Sequence, residues 1–136
     1  MAGSSSLKTK LLALGLKAAR RPIFRPLVRF AFNHMDPLLP VERLAENDHW
    51  IAFRHPQPDY PLHILIVPKS AIPSLATASL DSGDPFLALF EVVQTLINTF
   101  ALEDCGYRLI TNGGPNQTIP QWHWHLVSAG WQEAHD

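Results

Sequence analysis

One cysteine, Cys105, stands in the 136 residues of this chain. No disulfide can form within it, and a free thiol suits a reducing compartment. No apolar run approaches the ~20 residues needed to cross a bilayer, the longest in the N-terminal part being Leu11 to Leu16. There is no CxxC, no HExxH and no GxxxxGK[ST], which removes the common zinc and P-loop signatures. Charged residues are sparse at 17%, whereas hydrophobic residues reach 46%, a balance that fits a packed domain better than a disordered chain. The length has room for one domain of common size, which can bury a core without help from a metal or a disulfide.

The first 35 residues contain no acidic side chain. They carry Lys8, Lys10, Lys17, Arg20, Arg21, Arg25 and Arg29, while the rest of the chain has four basic and twelve acidic residues. The net charge of −1 therefore hides a basic arm (1–35) joined to an acidic domain (36–136). Within residues 4–19, Leu7, Leu11, Leu14 and Ala18 fall on one helical face, with the lysines mostly off it. Such a helix can pack on its own acidic domain, rest on an anionic membrane surface through residues 4–30, or serve as an organelle-targeting segment if the source is eukaryotic. A secretory signal matches poorly, because the apolar block is short and no small-residue cleavage pattern follows. Pro22 and Pro26 break the helix, and Pro37 and Pro40 mark a loop before the domain.

In the domain, Val41 to Leu44 and Trp50 to Phe53 read as a first hairpin around Glu46-Asn47-Asp48. Residues 55–61 hold three prolines and form a loop. Leu62 to Val67 is a strand, and 70–79 is a loop with a short helix. The spacing predicts a long helix from Pro85 to about Phe100, capped by Asp84, with Phe86, Phe90, Val93, Leu96 and Phe100 as its apolar stripe. A turn at Cys105-Gly106 leads to a strand over 107–111, a loop over 112–116 and a final strand over 121–127. Strands, one long helix and strands again define an α+β fold with an antiparallel sheet.

Seven histidines are many for this length, and two lie in Gln121-Trp122-His123-Trp124-His125-Leu126-Val127. Strand alternation puts Gln121, His123 and His125 on one face and Trp122, Trp124 and Leu126 on the other, as core or subunit interface. The histidine row has three readings. It can be an ordinary solvated polar face. With His63 it can hold zinc, as His123, His125 and His63 together offer three ligands. It can also supply a neutral imidazole that attacks phosphorus and forms a covalent intermediate. Upstream, Asn112, Gly113, Gly114, Asn116, Gln117 and Thr118 are uncharged donors or flexible backbone, a composition able to cradle a phosphate through N–H groups. The loop favours the phosphorus chemistry.

These pieces resemble the histidine triad (HIT) superfamily of nucleotide hydrolases and transferases. The resemblance covers Val41 to Ser128 and rests on Pro61-Leu-His63-Ile-Leu-Ile-Val-Pro68-Lys69, the long helix, Tyr107-Arg-Leu-Ile-Thr-Asn112-Gly-Gly, Gln117-Thr118 and QWHWHLV, in that order. The superfamily's last strand reads His-φ-His-φ-His-φ-φ, with φ apolar, and Gln121 occupies its first position here. The resemblance implies that His123 is the nucleophile toward the α-phosphorus of a nucleotide and that His125 contacts the phosphate. It places Thr118 near the leaving group beside Gln117, Asn112 and Gly113 at the edge of the site, and His63 behind the triad. The backbone carbonyl of Gln121 would orient His123, and its side-chain amide could bond His63. His125 in place of the glutamine of one transferase branch favours hydrolysis. His55 stands where many members carry an acidic residue that binds ribose, which alters the expected purine nucleotide contact.

The implied activity is hydrolysis of a nucleoside phosphoramidate, an adenylate-type adduct or a dinucleoside polyphosphate through a nucleotidyl-histidine, with no metal or other cofactor. The alternatives are a nucleotidyltransferase, a catalytically weak nucleotide-binding protein, and the zinc-dependent hydrolase. A homodimer paired through the long helix and a nearby strand is expected, in the cytoplasm; nucleic acid is not an expected partner.

Overall fold

The computed structural model describes residues 42–134. The basic arm assigned to 1–35, its helix and its proposed membrane contact lie outside them. Five strands and two α-helices make up the described part: β1 (Arg43–Glu46), β2 (Trp50–Arg54), β3 (Leu62–Pro68), α1 (Asp84–Thr99), α2 (Leu102–Cys105), β4 (Arg108–Thr111) and β5 (Trp124–Ser128). They give an antiparallel α+β fold with spatial order β1-β2-β3-β5-β4.

The apolar run of β3 explains its central position. All seven of its residues are buried, and it pairs with β2 on one side and β5 on the other. A strand covered on both faces tolerates few polar side chains, so His63 inside it must have a partner. The first hairpin turns at Asn47, whose Oδ1 accepts the N–H groups of His49 and Trp50. The strands accordingly lie at Arg43–Glu46 and Trp50–Arg54; the first ends two residues later than the expected Val41–Leu44, whose first residue lies outside the described ones, and the second is one residue longer than Trp50–Phe53.

Helix α1 packs Ala88, Leu89, Val92, Val93 and Leu96 on Trp50, Ile64, Ile66, Trp122 and Leu126 of one sheet face. The predicted stripe is rotated: Val93 and Leu96 are inside, but Phe90 is exposed and Phe86 and Phe100 only half-buried. Counting large residues favoured phenylalanine, while close helix–sheet contact is made at the smaller Ala88 and Val92. Gly83 occupies the cap position that Asp84 was expected to fill, and Asp84 begins the helix. There its carboxylate faces the positive end of the helix dipole. The helix stops at Phe100, and Ala101 (φ 52°) enters the left-handed region before the short α2. The short helix expected within 70–79 is a 3₁₀ turn at Leu75–Thr77.

The last strand begins at Trp124 instead of Gln121. The N–H of Trp122 bonds the Ile72 carbonyl, so this residue is tied to the loop after β3 and not to the sheet. Trp122, Trp124 and Leu126 nevertheless belong to the core under α1, as alternation requires. Among the described residues no helix is long and apolar enough to cross a membrane.

A candidate active site of four histidines

The sheet face opposite α1 carries the chemistry. In β3 and β5 the register sets His63 opposite Val127 and His125 opposite Leu65, so both imidazoles project to that face. His55 follows β2, and its N–H bonds the His63 carbonyl, which brings it alongside. His123 lies just before β5. Ring centroids are 4.4 Å apart for His55–His63, 5.1 Å for His63–His125 and 5.0 Å for His123–His125. All four side chains are buried, which overturns the reading of a solvated polar face.

Hydrogen bonds order the protons. The N–H of Asp59 donates to Nδ1 of His63 at 3.0 Å, which places the His63 proton on Nε2. That Nε2 lies 2.9 Å from Nδ1 of His125 and donates to it, so neutral His125 carries its proton on Nε2. His55 Nδ1 accepts the Gln57 N–H, leaving His55 also with a proton on Nε2. His123 is arranged the other way. Its Nδ1 donates to the Gln121 carbonyl at 2.7 Å, and its lone pair therefore resides on Nε2.

Burial keeps His55, His123 and His125 uncharged. Desolvation pushes the pKa of His55 down to about 4, with the neighbouring His123 adding to the effect. His125 falls well below the ordinary value, chiefly by desolvation and then by the proximity of His123, His63 and His55. His123 is lowered by desolvation, partly offset by its bond to Gln121, which favours the cation. At neutral pH these three rings are neutral, and His123 Nε2 is a nucleophilic nitrogen and not a blocked imidazolium.

Other predicted residues take varied places. Gln121 supplies the expected carbonyl to His123, but its side-chain amide donates to Ile72 O at 3.0 Å and not to His63. Gln117 directs its amide to the carbonyls of Pro73 and Ile119, fixing the loop and not facing the imidazoles. Thr118 and Asn112 are half-buried and Gly113 is exposed. The zinc alternative needs side chains converging on one point, yet His63 and His125 aim nitrogens at each other. Among the described residues no group of three or more His, Cys, Asp or Glu has ligand geometry.

Two contributors were not among the predicted site residues. Asp59 acts through its backbone N–H, which any residue but proline supplies. Thr111 accepts the Trp122 indole N–H at 3.0 Å and donates its hydroxyl to the His123 carbonyl at 2.8 Å, tying the Trp122 side chain and the His123 backbone to β4.

The family model for the HIT domain matches residues 29–130. A HIT-like protein of Chlamydia pneumoniae is 34% identical over 98 residues, covering 68% of this chain and 86% of its own. Among solved structures, a HIT family hydrolase from Legionella pneumophila superposes with TM-score 0.61 at 28% identity, covering 70% of this chain and 86% of its own. A histidine triad nucleotide-binding protein from Candida albicans gives 0.57 at 26% identity, covering 71% and 78%.

Proposed function

From the premise that this chain belongs to the HIT domain family, we propose that it is a nucleotide hydrolase working through a nucleotidyl-histidine on His123. The observation that carries this reading is the bond from His123 Nδ1 to the Gln121 carbonyl. It orients Nε2 and stabilises the positive charge that the ring gains when a bond to phosphorus forms. The hydrolase and nucleotide-binding names of the two solved relatives agree with it.

In the first step the Nε2 lone pair attacks the α-phosphorus of a nucleoside phosphoramidate, adenylate-type adduct or dinucleoside polyphosphate. The phosphorus bond to the leaving amine or oxygen breaks, and the leaving group takes the bonding pair and a proton from solvent. Water then attacks the phosphorus and returns one proton to solvent, the N–P bond breaks with its pair going back to Nε2, and a nucleoside monophosphate leaves with His123 neutral again. His125 Nε2–H serves as a donor to a phosphoryl oxygen, held in that tautomer by His63. Loss of the histidine side chain at position 121 leaves this scheme intact, because the backbone does the orienting.

AMP release from an adenosine phosphoramidate, compared between the protein and His123→Ala, tests the proposal. A loss of about 10³-fold or more is expected, as for removal of a covalent nucleophile. Equal rates would exclude His123 as the nucleophile, and AMP binding without any turnover would favour the nucleotide-binding alternative.

A further inference from the structure

The chain that leads into β5 is held from outside the sheet. Residues 117–123 precede β5, and two of their side chains are anchored on the segment that leaves β3. The Ile72 carbonyl accepts two donors there, the Trp122 N–H at 2.8 Å and the Gln121 side-chain amide at 3.0 Å. A carbonyl oxygen has two lone pairs, so it satisfies both. One residue further on, the Pro73 carbonyl accepts the side-chain amide of Gln117 at 2.6 Å. The Ile72 side chain packs against the core beneath α1, which anchors its carbonyl from the other side.

The Trp122 N–H and the Gln121 C=O belong to one peptide unit. That unit is planar and trans, so its N–H and its C=O point in opposite directions. The N–H points to Ile72, and the C=O accepts the Nδ1 proton of His123 at 2.7 Å. The Ile72 carbonyl and the His123 ring therefore grip opposite edges of a single plate. Any shift of the Ile72 oxygen tilts that plate and turns His123 Nε2 with it. The Gln121 amide bonds this same oxygen, closing a ring from residue 121 through Ile72 back to its own peptide.

We propose that the Gln121 side chain is a positioning residue: by bonding the Ile72 carbonyl it fixes the Gln121–Trp122 peptide, whose oxygen aims His123 at phosphorus. This rests on the hydrolase reading only for what His123 attacks. Residue 121 then works twice, its backbone oxygen directing the ring and its side chain steadying that oxygen. A side chain without an N–H donor at this place keeps the carbonyl and loses the hold on it.

The test uses the full chain with Gln121→Met and Gln121→Glu, which keep the length of the side chain and remove its N–H donor. Steady-state kinetics on an adenosine phosphoramidate should give a kcat about tenfold lower in both, with KM nearly unchanged. The acid limb of the kcat/KM profile should also move to lower pH. The bond to the Gln121 carbonyl favours the His123 cation, so loosening it lets burial hold the ring neutral further down. His125 and His55, the titratable groups beside His123 among the described residues, are the same in both variants. A purely structural role would lower the unfolding midpoint and leave that limb in place. A kcat or an acid limb that Gln121→Met leaves unchanged overturns the positioning role. Long-range ¹H–¹⁵N spectra of the imidazoles, assigned with His123→Ala, read the same effect without turnover. The Nδ1–H tautomer of His123 should dominate in the unaltered chain and lose population in both variants; an unchanged tautomer overturns the role. A tautomer shift in a protein that turns over no phosphoramidate overturns the hydrolase reading and leaves the role of Gln121 standing.

Discussion

His63 Nε2 donates to His125 Nδ1 at 2.9 Å, and the direction of that proton is set at the far side of His63 by the N–H of Asp59. One backbone donor therefore fixes two tautomers in series. The proton of His125 is thereby directed away from His63.

Replacing His63 with phenylalanine keeps a ring of similar size in β3 but removes both bonds. His125 loses its donor and can turn or change tautomer, so turnover should fall about 10–100-fold with little change in KM. Steady-state kinetics on an adenosine phosphoramidate measure this. An unchanged kcat would show that His125 needs no support from His63.

The buried imidazoles also predict how stability varies with pH. An unfolded histidine takes up its proton near pH 6.5, whereas folded His55 resists until about pH 4. Between those values the unfolded state binds more protons, so stability is full above pH 6.5 and declines as pH falls toward 4. His55 alone accounts for about 3 kcal/mol at the acid end, and the lowered His123 and His125 act in the same direction. Thermal unfolding between pH 8 and 4 should show a plateau and then a steep fall, made shallower by His55→Gln. A midpoint that holds steady from pH 7 to 5 would contradict buried neutral histidines.

Much of the fold was legible because it is driven by long apolar patterns. The run over β3 and the spacing of Val93 and Leu96 on α1 are signals that burial enforces. The start of β5 was not legible, since alternating side chains do not reveal which N–H groups reach a neighbouring strand. Trp122 bonds Ile72 instead. His123, His125 and His63 could be singled out by residue type and motif. The tautomers of His63 and His125 could not, because they depend on the Asp59 N–H, which any residue but proline supplies.

A homodimer is the outcome expected from two exposed features. Leu87 and Phe90, at i and i+3 on the outer side of α1, are 62% and 51% exposed, and β4 is a sheet edge. Two large apolar side chains and an open edge on one subunit fit the proposed homodimer. Light scattering at micromolar concentration should give twice the mass of one chain, and Phe90→Glu should move it toward one. A single-chain mass for the unaltered protein would remove the dimer from the reading.

The hydroxyl of Thr111 gives the sharpest separation between positioning and mere stability. It receives the Trp122 indole proton and gives its own to the His123 carbonyl, so it holds residues 122 and 123 at the end of β4. Thr111→Val keeps the shape and removes both bonds, taking a partner from the buried Trp122 indole. A loss of about 2–3 kcal/mol is expected, read as a lower unfolding midpoint. Because a displacement of about 1 Å at a reacting group can cost as much as 10²-fold, kcat should fall well below what the unfolded fraction explains at 25 °C. Thr111→Ser restores the donor and the acceptor, and should recover kcat more fully than stability, since it lacks the methyl of the half-buried threonine. If the valine variant loses stability alone and keeps its kcat, the His123 ring is positioned by the Gln121 carbonyl without help from β4.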